Sequence, residues 1–409
     1  MMKYNTFLPS VYIFFILAFT PVALFASNNY ELQKFETPTP VSQNPQFGQS
    51  VSISGGFAVV GAPDDSANNL SESGSVYAYI SDGESWQQLD VITPGDASAN
   101  QNFGYSVSLQ LPLLVIGAPG DNSDTGAIYV YALSPSLQWV EQEKILSPNP
   151  FTSIRFGESI STDGNWIAAG SPDMQVGNFD TGQVSVFEKT QNGFVFYQDL
   201  LSGIAPESAY FGAGVEIHDE KILVYADHDD FSTPNDNGVI YSFELDNSFW
   251  VAQQNLKFQT QVNSQTLSPR FAVNDSWLVS GGYVFENSNG SWTETSPLST
   301  DVVSVFTEFG HASAIQGNHL LISDTFEDVN GVFSTGATHH FMLSNGQWNR
   351  VGKYLVSNAS NDIYFGHDIA VEANSVMITK LPYGKSSLER GAMYTYDLDI
   401  IFSTGFESK

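Results

Sequence analysis

The residues in this sequence with the most chemistry available to them are carboxylates. There are 44 Asp and Glu against 14 Lys and Arg, and many of the acids gather in short loops rich in Asp, Asn, Ser and Gly. Those loops hold Asp64 and Asp65; Asp121 and Asp124; Asp173 and Asp180; Asp227, Asp229, Asp230 and Asp236; and Asp324, Glu327 and Asp328. Carboxylates so placed can accept hydrogen bonds, gather hard cations or, where their environments differ, exchange protons. Solvated turns have the same composition for purely conformational reasons. As candidate partner-facing residues we take Asp64, Asp65, Asp121, Asp124, Asp173, Asp180, Asp229, Asp230 and Asp236.

Other chemistries find less support. The chain has no cysteine, which removes disulfides, thiolate metal sites and a cysteine nucleophile. The seven histidines (218, 228, 311, 319, 339, 340 and 367) form no HExxH or similar ligand spacing. His339 and His340 are adjacent on a strand, so they face opposite sides and cannot chelate together. His228, beside Asp229 and Asp230, is the one histidine placed like a ligand. There is no G-x-S-x-G elbow and no phosphate-binding loop. Acid pairs are so frequent that none singles itself out for glycosidase chemistry, and no catalytic residue is assigned. A net charge of −30 repels phosphate backbones and argues against nucleic acid as a partner.

The elements that carry these loops repeat. Phe-Gly pairs begin at 47, 103, 156, 211, 309 and 365, at spacings of 56, 53, 55, 98 and 56 residues. The long interval hides one further copy near Phe271, for seven in all. In the first copy four β-patterned runs stand out: 50–54, 57–62, 75–80 and 85–92. A period near 50 residues with four strands per unit predicts an all-β, seven-bladed β-propeller of four-stranded blades. The last copy has no fourth run. Residues 33–38, QKFETP, resemble 89–94, LDVITP, and both stand nine residues before a Phe-Gly pair, counted from the proline. An N-terminal outer strand is therefore expected to complete the seventh blade, close the ring and remove two free sheet edges.

Side-chain patterns agree with that reading. Paired bulky residues on the third runs (Tyr77/Tyr79, Tyr129/Tyr131, Tyr241/Phe243, His339/Phe341, Tyr394/Tyr396) share one sheet face. The fourth runs open on Trp86, Trp139, Phe194, Trp250, Trp292 and Trp348, and these aromatics are expected to pack between blades. Residues 1–26 have the layout of a secretory signal peptide: a basic Lys3, an apolar stretch and small residues at Ala23 and Ala26, with cleavage expected after Ala26. Residues 27–399 would form the propeller and 400–409 a C-terminal tail.

The recurring residues resemble the FG-GAP repeat proteins, which include the seven-bladed propeller of integrin α subunits and many secreted bacterial proteins. The best copies join Phe47-Gly48 to Gly61-Ala62-Pro63, Phe103-Gly104 to Gly117-Ala118-Pro119 and Phe156-Gly157 to Gly170-Ser171-Pro172. The resemblance implies structural roles for these motifs: a tight start to the innermost strand and a glycine where strands crowd. It also implies calcium loops between first and second strands. Here those turns are short (54–56, 162–165, 218–220, 316–318) and lack the oxygens that calcium requires, so no cofactor is assigned and only adventitious calcium is envisaged. The expectation is a secreted or cell-surface, monomeric, non-enzymatic binding or adhesion module. It would span no membrane after signal cleavage and would present an acidic loop face to a protein or glycan partner. The alternative is a secreted carbohydrate-active enzyme or lectin with its site at the mouth of the central channel.

Overall fold

The computed structural model describes residues 28–29, 31–37, 45–149, 151–176, 179–203, 209–227, 238–257, 267–299, 308–357, 363–382 and 390–398. The expected signal peptide and C-terminal tail lie outside them.

Seven antiparallel sheets form the ring. Blade 1 comprises Val51–Ser54, Phe57–Ala62, Ser75–Ser81 and Trp86–Ile92, in that order from the channel outwards. Blades 2 to 6 repeat the arrangement with innermost strands Val107–Gln110, Ile160–Thr162, Gly214–His218, Ala272–Val273 and Phe309–Gln316. Blade 7 takes Phe365–Glu372, Ser375–Lys380 and Ala392–Asp397 from the end of the chain and Gln33–Phe35 from its beginning, with Gln33 opposite Thr395. The closing strand is thus where the sequence placed it. A second N-terminal strand, Asn28–Asn29, was not anticipated and pairs in parallel with the outer strand of blade 6.

The repeated residues build the joints between blades. Phe103 is fully buried and meets Tyr129 and Tyr131 edge-on at 5.3 and 6.1 Å, and Phe211 and Phe365 do the same in blades 4 and 7. Gly104 has φ of +91°, where a side chain would be strained. A Cβ on Gly61 would come within 1.9 Å of the Gly104 carbonyl oxygen. The glycines of the two motifs therefore fit against one another across the joint. Farther out, Trp139 packs on Phe57 of blade 1, Trp250 on Trp166 of blade 3, and Trp348 on Trp277 of blade 5.

Fixed hydrogen bonds add to this packing. The Gln198 side chain accepts from Trp250 N–H and donates to Trp250 C=O, both at 2.9 Å; Gln33 clamps Trp86 and Gln254 clamps Trp292 in the same way. Near the channel, Ser52, Ser108 and Ser161 accept the backbone N–H of Leu109, Thr162 and Ile217 in the next blade. Asp368 does this for Val51 and joins blade 7 to blade 1.

The fifth repeat departs from the sequence reading. Strand register pairs Ala272 with Val279, as Glu216 pairs with Leu223 in blade 4. Counting back, the place of the Phe-Gly aromatic falls on Leu267, which is buried against Tyr283, Phe285 and Trp292. Phe271 joins the same cluster four residues later, on the innermost strand's side, where it also borders the channel.

Candidate functional site

Because the four strands alternate in direction, the loops between second and third strands leave the sheets at the same end as the blade-to-blade connections. The two sets of loops are bonded together: Asn100 N–H donates to Ser71 C=O, Arg155 N–H to Asp124 C=O, and Tyr210 N–H to Asp180 C=O. This end is the face on which Asp64, Asp65, Asp121, Asp124, Asp173 and Asp180 lie.

The structure divides those acids in two. Asp64, Asp65 and Asp121 are buried and hold loops in place. Asp64 accepts from the side chains of Gln46 at 2.8 Å and Asn102 at 3.2 Å. Asp65 accepts from the Tyr77 hydroxyl at 3.0 Å, and burial together with this acid pushes the phenol pKa up. Asp121 takes Lys144 Nζ at 2.6 Å and Gln101 at 3.3 Å. The same tether recurs in blade 6, where buried Glu327 accepts from His339 Nε2 and Lys353 Nζ, both at 2.7 Å. Burial works to raise Glu327, but these two partners hold it below the ordinary carboxylate value.

Asp124, Asp173 and Asp180 behave differently. Asp124 is exposed and the other two are half-buried. The three are close enough to act on one another: burial and then repulsion from Asp180 and Asp124 raise the Asp173 pKa against the opposing pull of Arg155. Tyr210 adjoins them and is raised by burial, Asp180 and Asp173. The connection that carries Arg155 also carries Phe151, an aromatic that is 63% exposed. The joint of blades 2 and 3 therefore presents three acids, one arginine and an exposed aromatic. Asp229, Asp230, Asp236 and His228 lie outside the described residues.

A second concavity lies on the ring axis. The channel has a volume of about 770 Å³ and is walled by the innermost strands of all seven blades. Near the loop face its wall holds Glu158, Arg270 and Asp368, with His311 and His367 beside them. Arg270 donates to His367 Nε2 at 3.1 Å, and enclosure together with Arg270 keeps that imidazole neutral, well below its ordinary pKa. Glu158 Oε2 lies 3.1 Å from Arg155 Nε, yet enclosure raises its carboxyl to about 7. These channel groups were missed in the sequence because they come singly, one per repeat; the signal was there in the residue after each Phe-Gly, which reads Gln49, Tyr105, Glu158, Ala213, His311 and His367.

At the opposite end, the short turns expected to be too small for a metal do meet across a joint. His218 and Asp219 of blade 4 and Asp275 of blade 5 bring one donor atom each within 4.8 Å of one another, the only such group among the described residues. His218 Nε2 and Asp275 Oδ1 are 2.8 Å apart, an arrangement that a hydrogen bond satisfies by itself.

No helix among the described residues is long and apolar enough to cross a membrane. Comparison with known families matches the FG-GAP repeat over residues 37–79 and 86–131, which spans blade 1 and the first three strands of blade 2. The matched repeats supply the Phe-Gly and Gly-Ala-Pro residues seen at the joints, and the same joints carry the ring through blades whose motifs have decayed. With its seven sheets around one channel, the chain is a seven-bladed β-propeller whose first two blades match the FG-GAP repeat.

Proposed function

We propose that the protein is an exported, non-enzymatic binding module whose protein or glycan partner docks on the loop face at the joint of blades 2 and 3. The observation that carries this reading is the division of labour among the acids. Asp65 and Asp121 use their charge on buried tethers that fix the loops, while Asp124, Asp173 and Asp180 are presented together with Arg155, on whose connection Phe151 is exposed. Loops fixed before contact lose less conformational freedom on binding, and exposed aromatics are common anchors of binding patches. Export is supported by the signal-peptide layout of residues 1–26 and by a ring that relies on packing, with no cysteine to oxidise.

The test is capture of partners by the mature protein, with Phe151→Ala and the triple Asp124→Asn, Asp173→Asn, Asp180→Asn variant in parallel. Loss of capture at an unchanged melting temperature is the expected result. Capture that survives both variants rejects this face.

A second reading, a lectin or carbohydrate-active enzyme at the channel mouth, is favoured by Glu158, whose carboxyl at about 7 could hold or release a proton near neutrality. Glycan binding that is abolished by Glu158→Gln, with or without hydrolysis, would select it over the loop face.

A further inference from the structure

Arg270, just before the innermost strand of blade 5, is the only Lys or Arg on the channel wall. Its guanidinium uses one of its several donors, on the neutral imidazole of His367 in blade 7 at 3.1 Å. The carboxylates nearby are committed elsewhere. Asp368 accepts from the main-chain N–H of Val51 at 2.8 Å and of Ile369 at 3.0 Å, and Glu158 Oε2 lies 3.1 Å from Arg155 Nε. Enclosure raises both carboxyls and the charge of Arg270 works against it, so all three groups share one part of the channel. Among the described residues no ion pair joins Arg270 to either of them.

Two neutral side chains share this layer. Gln49 of blade 1 lines the channel and is only 7% exposed, yet its amide bonds no group of the protein among the described residues. Its main chain bonds His367, which sets it close to Arg270. Ser313 of blade 6 donates its N–H to the Arg270 carbonyl, and its own buried hydroxyl has no partner. Enclosed polar groups are seldom left without a partner, and an amide is matched by groups that both donate and accept. Farther down the channel the position is different: enclosure raises the Glu216 carboxyl to about 7, and Glu216 is bonded by the Ser161 hydroxyl.

We propose that this layer of the channel binds a uronic acid, with the sugar carboxylate on the Arg270 guanidinium and a ring hydroxyl on the Gln49 amide. The guanidinium fork matches a planar carboxylate in two parallel hydrogen bonds. A doubly charged phosphate would meet stronger repulsion from Asp368 and Glu158, and a carboxylate without hydroxyls would leave Gln49 unmatched. A channel of about 770 Å³ admits a sugar ring. This inference rests on the reading of a glycan site at the channel mouth and is independent of partner docking at the joint of blades 2 and 3.

Isothermal titration of the mature protein with galacturonate tests it, with galactose and acetate as controls. Galacturonate should bind at least about tenfold more tightly than either. Arg270→Gln should erase the preference over galactose. Because that change also removes the bond to His367, Gln49→Ala, which breaks no side-chain hydrogen bond, is the second variant; it should weaken galacturonate about tenfold at an unchanged melting temperature. Galactose bound as tightly as galacturonate, yet lost in Glu158→Gln, overturns this inference and leaves the channel-mouth reading standing. Binding of neither sugar overturns this inference, and the glycan assay with Glu158→Gln decides the channel-mouth reading separately. Galacturonate binding unchanged in both variants overturns it as well.

Discussion

Phe103 and Asp65 show how differently two conspicuous residue types resolve once their contacts are known. Phe103 is fully buried between two tyrosines, so Phe103→Ala should cost about 3–5 kcal/mol, measured by urea unfolding. Asp65 looked like a partner-facing acid, yet it is a buried acceptor for Tyr77. Asp65→Asn should therefore lower the melting temperature and leave partner capture intact. Sequence could not separate Asp65 from Asp124, because both sit in loops rich in Asp, Asn, Ser and Gly and only the path of the chain decides which side chain turns inward. Glu216 gives a prediction with a definite sign. Its folded pKa, about 7, lies above the ordinary 4.5, so the folded state holds its proton longer than the unfolded chain does. Ionisation then opposes folding, and this cost grows as pH rises from 4.5 to about 7. Relative to wild type, Glu216→Gln should gain thermal stability across that window and gain no more above it; a constant difference at all pH values would contradict the assignment.

At the scale of strands, the sequence was most legible where local pattern and tertiary role coincide. The runs expected at 57–62 and 75–80 are strands at Phe57–Ala62 and Ser75–Ser81, because alternation in these segments is also the alternation of two blade interfaces. It was less legible in the fifth repeat. There the motif glycine is replaced by Ser268, and Leu267 fills the aromatic's place with a smaller side chain, so nothing in the local sequence marks the start of the blade. The parallel pairing of Asn28–Asn29 could not be read at all, since two polar residues carry no β pattern and the bond depends on the edge that blade 6 offers. The outer-strand clamps make a separate prediction. Gln198→Ala leaves the main chain of Trp250 without two partners and should destabilise by about 1–3 kcal/mol, whereas Gln142→Ala, whose side chain bonds its own strand at an exposed site, should change little.

For the whole molecule, the acidic surface and the ring are separate matters. The net charge of −30 says how the surface meets ions and partners, and partner capture through Asp124, Asp173 and Asp180 should weaken as salt rises. The ring has a kinetic consequence. Gln33–Phe35 is synthesised near the beginning of the chain, but its pairing strand, Ala392–Asp397, is made near the end. The blade that seals the propeller is therefore the one with the greatest separation between its strands, and its assembly must wait until the strands of the other six blades have been made. Until Gln33–Phe35 docks, the last blade has three strands and an open edge able to recruit a strand from another chain. Refolding should show a slow final phase that disappears when residues 28–37 are deleted, and the deleted protein should self-associate at concentrations where the complete one does not.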